Sequence, residues 1–96
     1  MMKSITKNVR YDKFNNFCVS DKGKDLPQTK INGKNNLNAC LAACAMNHLK
    51  CSAAEYYAKG WNGSNCYHIL TGLDSNRAAK GSPGKRWRDA TCYVRS

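Results

Sequence analysis

Ninety-six residues with sixteen Lys and Arg against six Asp and Glu, a net charge of +10, describe one small basic domain. No stretch approaches the ~20 consecutive apolar residues of a membrane span, and a chain this short buries only roughly 60–65% of its unfolded surface. A large apolar core and a transmembrane helix are therefore excluded, while the charge favours polyanionic partners such as sulfated glycan, nucleic acid or anionic lipid.

Residues 1–17 carry Lys3, Lys7, Arg10 and Lys13 but no apolar h-region, so they do not read as a signal peptide. If the chain is secreted, its signal has been removed ahead of this sequence, or the module was cut from a longer protein. Ile5, Val9 and Tyr11 share one parity and predict a first strand over 3–11. A second short strand is expected over 14–19. Residues 20–36 are polar and hold Gly23, Pro27 and Gly33, which reads as loop.

Strong helix formers follow over 39–49, with Asn38 or Asn36 able to cap the orphan amides. Cys40, Cys44 and His48 fall on one face of that helix, and Leu41, Ala45 and Leu49 on the adjoining one. A strand over 52–59 places Ala54, Tyr56 and Ala58 on one side. A turn at 61–65 leads to a return strand over 66–70, giving a hairpin. Asn62-Gly63-Ser64 in that turn matches the N-glycosylation pattern, a weak signal at three residues. Residues 71–84 read as loop, and 85–95 as the closing strand. The order predicts an α+β domain, one helix packed on an antiparallel sheet.

The cysteines are Cys18, Cys40, Cys44, Cys51, Cys66 and Cys92. An even count in a chain of this size reads as a disulfide framework, formed in an oxidising compartment. The spacing of Cys40, Cys44 and His48 also suits a metal, but no Cys-x2-Cys pair supports zinc, and no metal or cofactor is expected. Cys40 and Cys44, one turn apart, cannot readily bond each other and need separate partners. The pairings otherwise remain open from spacing alone.

Cys40-Leu41-Ala42-Ala43-Cys44, then Cys51-Ser52-Ala53-Ala54-Glu55-Tyr56, Asn65-Cys66-Tyr67 and Cys92-Tyr93-Val94 together resemble the PAN/apple domain family. The likeness covers residues 14–94, so the domain is expected over 14–96. Residues 1–13 form an N-terminal extension or edge strand that the family pattern does not explain. The resemblance implies the pairs Cys18–Cys92, Cys40–Cys66 and Cys44–Cys51. It also implies a secreted, disulfide-bonded module for adhesion or recognition, including effectors, with no catalytic residues.

The strongest local cluster is Arg77, Lys80, Lys85, Arg86 and Arg88, with Trp87 between two arginines and no acid among them. Guanidinium groups bind sulfate, phosphate and carboxylate through paired donors, and an indole offers a flat apolar face. We expect these cations to form one continuous ligand-binding patch around Trp87. The bland alternative makes Trp87 a core plug with a solvated charged rim. His48 and His68 read as structural residues that could face each other across the helix–sheet contact. No Gly-x-Ser-x-Gly elbow, phosphate loop or paired-carboxylate arrangement is visible, so an enzyme is not expected.

The expected function is a secreted, non-catalytic module binding an anionic, heparin-like sulfated glycan. The alternative is a protein-binding adhesin or host-directed effector whose charge only steers encounter, with Trp61 or Tyr57 as anchors. No nucleic-acid partner is expected, because disulfides argue against an intracellular role. Cys40–Cys66 is expected to matter more for folding than Cys18–Cys92, as it fixes helix to sheet, whereas Cys18–Cys92 would close only the ends.

Overall fold

The computed structural model describes residues 10–47, 50–70 and 77–95. Strands β1 (Tyr11–Asn15), β2 (Cys18–Val19) and β3 (Thr29–Ile31) precede helix α1 (Leu37–Met46). Strands β4 (Cys51–Trp61), β5 (Ser64–Leu70), β6 (Lys80–Gly81) and β7 (Ala90–Arg95) follow it. Five strands form an antiparallel sheet in the order β1-β7-β4-β5-β3, and β2 pairs with β6 in a separate two-stranded ribbon. The α+β class expected from the sequence is the class observed. Among the described residues, no helix is long and apolar enough to cross a membrane.

Helix α1 starts where the chain supplies a cap. Asn36 is extended, at φ −133°, and its side-chain oxygen accepts the Ala39 N–H at 2.8 Å. Of the two candidate caps it is therefore Asn36, and Asn38 lies inside the first turn. The helix ends at Met46, short of the expected Leu49, with the Asn47 N–H donating to the Cys44 carbonyl. Cys40, Cys44 and Ala45 form its buried stripe.

All six cysteines are paired: Cys18–Cys92, Cys40–Cys66 and Cys44–Cys51, the pattern the resemblance implies. Two of the three bridges staple α1, one to β5 and one to the start of β4. Cys40, Cys44, Cys51, Ala54 and Cys66 make the core between helix and sheet, flanked by Tyr11, Ile31, Leu41 and Tyr56.

The opposite sheet face is covered as well, by the β2–β6 ribbon and the segments around it. Cys18, Leu26, Ala53, Ile69, Ala78 and Cys92 pack there, with Phe14 and Val94 at the edge. β4 is consequently buried on both faces from Cys51 to Glu55, so alternation identifies only its helix side. The ribbon lies close enough that a Cβ on Gly81 would fall 1.8 Å from the Asn15 carbonyl oxygen. Only glycine fits at that contact.

Several expected boundaries shift. β3 lies inside the segment read as loop, and its partner is β5, distant in sequence. β6 lies inside the second expected loop. The last strand begins at Ala90 rather than Lys85, because Arg88 and Asp89 adopt φ of 50° and 52°, outside any strand conformation. The expected first strand over 3–11 lies almost entirely outside the described residues. β1 begins at its final residue, Tyr11, and is an edge strand crossing the expected boundary between residues 13 and 14.

A candidate recognition groove

Tyr57, Trp61, Tyr67 and Trp87 converge on the sheet face away from the helix. Tyr57 touches Tyr67 and Trp87 edge to face at 5.3 and 5.8 Å, and Trp61 meets Trp87 at 5.3 Å and 77°. Ring centroids this close leave no space for a guest between them. The rings form a filled cluster that offers faces and edges to an open groove. Tyr57 and Tyr67 are buried, whereas Trp87 keeps 41% of its surface exposed.

Two structural elements place the indoles. On one side, Asn62 and Gly63 make the two-residue hairpin turn between β4 and β5, with φ of 49° and 83°. Positive φ at both central positions is the mirror-image turn that suits strand twist, and Asn-Gly favours it. Just before it, the register between β4 and β5 shifts between Tyr56 and Trp61. The Asn65 amide covers that irregularity by donating to the Tyr57 carbonyl at 2.8 Å. Ser64 is buried and donates to the Ile31 carbonyl at 2.7 Å. Turn and packing thus account for Asn62-Gly63-Ser64 without a glycan.

On the other side, Asn16 organises residues 82–88. It is 1% exposed and sits at φ 77°. Its amide nitrogen donates to the Lys85 carbonyl at 3.0 Å, and its amide oxygen accepts the Trp87 N–H at 3.0 Å. The Ser82 N–H donates to the Phe17 carbonyl at 2.7 Å beside it. Asn16→Ala removes these bonds and puts a Cβ residue without a compensating side chain in the left-handed region. We expect it to lower stability by about 2 kcal/mol, read by thermal denaturation, and to broaden the indole resonance of Trp87 in NMR spectra. An unchanged melt would show that the loop holds without Asn16.

The groove that opens beside this aromatic cluster has a volume of about 880 Å³, within the size range of ordinary ligand sites. Phe17, Leu26 and the aromatic cluster make it apolar, and Asn16, Gln28 and Asn62 add polar groups. Lys30 and Lys85 stand on it, with Asp25 as the one acid among the described residues that line it. The Lys30 ammonium lies 3.7 Å from where a Cβ on Gly63 would sit, which places it at the hairpin wall beside Trp61. Lys85 belongs to the other wall, two residues before Trp87. Of the four non-glycine residues with positive φ among the described residues, Asn16 and Asn62 line this groove and Arg88 lies over its Trp87; Asp89 follows Arg88 in the chain. Sparsely populated backbone conformations concentrate at functional sites.

Beneath the floor lies Glu55, fully buried. Its carboxyl accepts the Cys18 N–H at 2.7 Å, the Tyr57 hydroxyl at 3.1 Å and the Gln28 amide at 3.3 Å. Burial pushes its pKa up to about 7, against the lowering by the Cys18 N–H and Tyr57 hydrogen bonds, and Asp25 adds a further upward push. Burial also raises Tyr57, helped by the neighbouring Glu55 charge.

The six residues expected to form one patch are divided. Lys85 and Trp87 line the groove. The Arg88 guanidinium lies over the Trp87 ring, 5.3 Å from its centroid, and donates to the Gly60 carbonyl at 3.4 Å. Arg86 turns away, its Nε donating to the Ala90 carbonyl at 2.8 Å and its Nη2 to the Thr91 hydroxyl at 2.7 Å. Thr91 points to the helix side of the sheet, so Arg86 and Trp87 serve opposite faces. Arg77 and Lys80 are exposed, Lys80 in the β2–β6 ribbon and Arg77 just before it. Trp87 is neither a buried plug nor a free platform: it packs edge to face with Tyr57 while much of its surface meets solvent.

His68 is buried on the helix side, where its Nε2–H donates to the Cys40 carbonyl at 3.0 Å. Burial holds its pKa below the usual imidazole value, so it is a neutral structural residue. His48, its expected counterpart, lies outside the described residues. The sulfurs of Cys40 and Cys66 and the His68 ring gather within 4.8 Å, but both sulfurs are already bonded to each other and are not available as thiolate ligands.

Asn16, Gln28, Lys30 and Glu55 were not legible as site residues, because each acts through partners far away in sequence. The one local hint was Glu55, an acid inside the apolar run Ala53-Ala54-Glu55-Tyr56-Tyr57. No protein-family model, curated protein or solved structure matches this chain.

Proposed function

We propose that this chain is a secreted, non-catalytic recognition module of the PAN/apple type that holds an anionic, sulfated glycan in the aromatic groove. The observation that carries the reading is the pair of indoles, Trp61 and Trp87, each with an ammonium group on its wall of one groove. Indole faces suit the apolar face of a sugar ring, while Lys30 and Lys85 suit sulfate or carboxylate groups on its edges. A cationic ligand fits poorly, since Lys30, Lys85 and Arg88 surround the rings and Glu55 is sealed beneath Tyr57. Three disulfides in a chain of this size fit an extracellular setting.

The test is calorimetry with a heparin-derived octasaccharide at two salt concentrations. Trp87→Ala and Lys85→Gln should each weaken groove binding, Trp87→Ala by about tenfold and Lys85→Gln by about threefold. Their melts identify any loss that comes from unfolding. Affinity should fall with added salt, because bound counterions are released. Affinity for the octasaccharide that ignores Trp87→Ala in a folded protein would remove the groove from the function. A protein ligand whose binding survives moderate salt and depends on Trp61 and Tyr57 would favour the adhesin or effector reading.

A further inference from the structure

The helix side of the sheet carries a second set of cations that the groove does not use. Strand register places Tyr11, Lys13, Thr91, Tyr93 and Arg95 on this one face, with Lys13 opposite Tyr93 and Tyr11 opposite Arg95. Arg86 joins them through its bonds to Ala90 and Thr91. Tyr11 and Tyr93 meet edge to face at 6.5 Å. Arg95 stands opposite Tyr11 in the register, and the Arg86 guanidinium reaches Thr91, two residues before Tyr93 on the same face. The Tyr11 hydroxyl donates to the Leu41 carbonyl at 2.7 Å, which sets the strip against the flank of α1.

The strip is positive without compensation. Among the described residues, no Asp or Glu takes a helix-side position in the sheet: Asp12 pairs with Val94 and Glu55 with Cys92, both facing the other way. The helix, Leu37–Met46, contains no charged residue. Lys13 and Arg86 are exposed and Arg95 is half-buried. Arg86 is also pre-oriented: two hydrogen bonds fix its guanidinium, and the five donors of that group leave others for a ligand. A guanidinium held in place loses less freedom on binding an oxyanion.

We propose that Lys13, Arg86 and Arg95, set around the Tyr11–Tyr93 pair, form a second anion-binding surface, which seats a sulfated-glycan segment on the sheet face opposite the groove. The module is then bivalent and joins two glycan segments through its thin sheet. This goes beyond the groove reading and stands on different residues. Charge complementarity selects the occupant: a strip of three cations and no acid, on a chain of net charge +10.

Titration of the intact protein with the heparin-derived octasaccharide, followed by calorimetry and amide NMR shifts, separates the two faces. The expected result is two equivalents bound, with one set of shifts at Lys13, Arg86, Thr91 and Tyr93 and another around Lys85 and Trp87. Lys13→Gln should weaken binding at the strip about threefold and Lys13→Gln/Arg86→Gln about tenfold or more, leaving the groove shifts intact. Lys13→Gln alone guards against a structural role of Arg86, because Lys13 is exposed on an edge strand. Strip shifts that persist in Lys85→Gln/Trp87→Ala support the second surface even if groove binding proves absent. A single equivalent with no shifts along the strip, or strip binding indifferent to Lys13→Gln, overturns the proposal. Stronger binding there by a single-stranded DNA of equal charge overturns the glycan as its occupant.

Discussion

Replacing Cys18 and Cys92 together by alanine is expected to destabilise the protein more than removing either other disulfide. Chain entropy argues for this order, since the bridges span 74, 26 and 7 residues. The corresponding losses are about 4–5, 3–4 and 2–3 kcal/mol. The sequence suggested the opposite, on the ground that Cys18–Cys92 would only close the ends of the domain. The structure removes that ground. Both residues are completely buried, inside the core that Leu26, Ala53, Ile69 and Ala78 share. The bridge fastens the β2–β6 ribbon to β7, and the Cys18 N–H is a hydrogen-bond donor to buried Glu55. Losing it frees the cover of one sheet face as well as the chain entropy. Urea denaturation of the three double variants checks the order. A Cys40→Ala/Cys66→Ala protein less stable than Cys18→Ala/Cys92→Ala would return the weight to the helix–sheet contact.

What could be read from the sequence was local, or tied to the cysteines. The helix has a cap and strong formers within ten residues, and the Asn62-Gly63 hairpin lies between two strands that carry Tyr56, Tyr57, Trp61 and Tyr67. Those elements appear where expected, within a few residues. β3 was hidden because Thr29–Ile31 is short and half polar, and only β5 makes it a strand. Two-sided burial of β4 was hidden for a related reason: its second cover is ribbon and loop, which have no periodicity to read. The charged cluster was visible as a cluster but not as two surfaces. Arg86 and Trp87 are neighbours in the chain. Their divergence depends on the left-handed residues Arg88 and Asp89 and on Asn16, about seventy positions away. Composition announces cations, but long-range hydrogen bonds decide which face each one serves.

Glu55→Gln is expected to stabilise the protein at alkaline pH and to change how stability depends on pH. The folded carboxyl has its pKa raised from 4.5 to about 7, so between those values the folded state holds a proton that the unfolded chain has lost. Its contribution is therefore greatest below the unfolded value and declines as pH rises through the folded value. The full decline is about 3 kcal/mol, because each tenfold difference in proton affinity between folded and unfolded chain is worth about 1.4 kcal/mol. Glutamine keeps the shape and can still accept from the Cys18 N–H, but it carries no charge to desolvate. His68 works in the opposite direction: its pKa is lowered by burial, so its contribution is present above pH 6.5 and lost as pH falls. Wild type and variant share that limb, so the difference between their curves isolates Glu55. The difference should be small near pH 4.5 and grow to about 3 kcal/mol in favour of the variant near pH 8. Urea denaturation across that range measures it. Curves that stay parallel would mean that the three donors around the carboxylate compensate its burial completely, and that the floor of the groove is charged throughout.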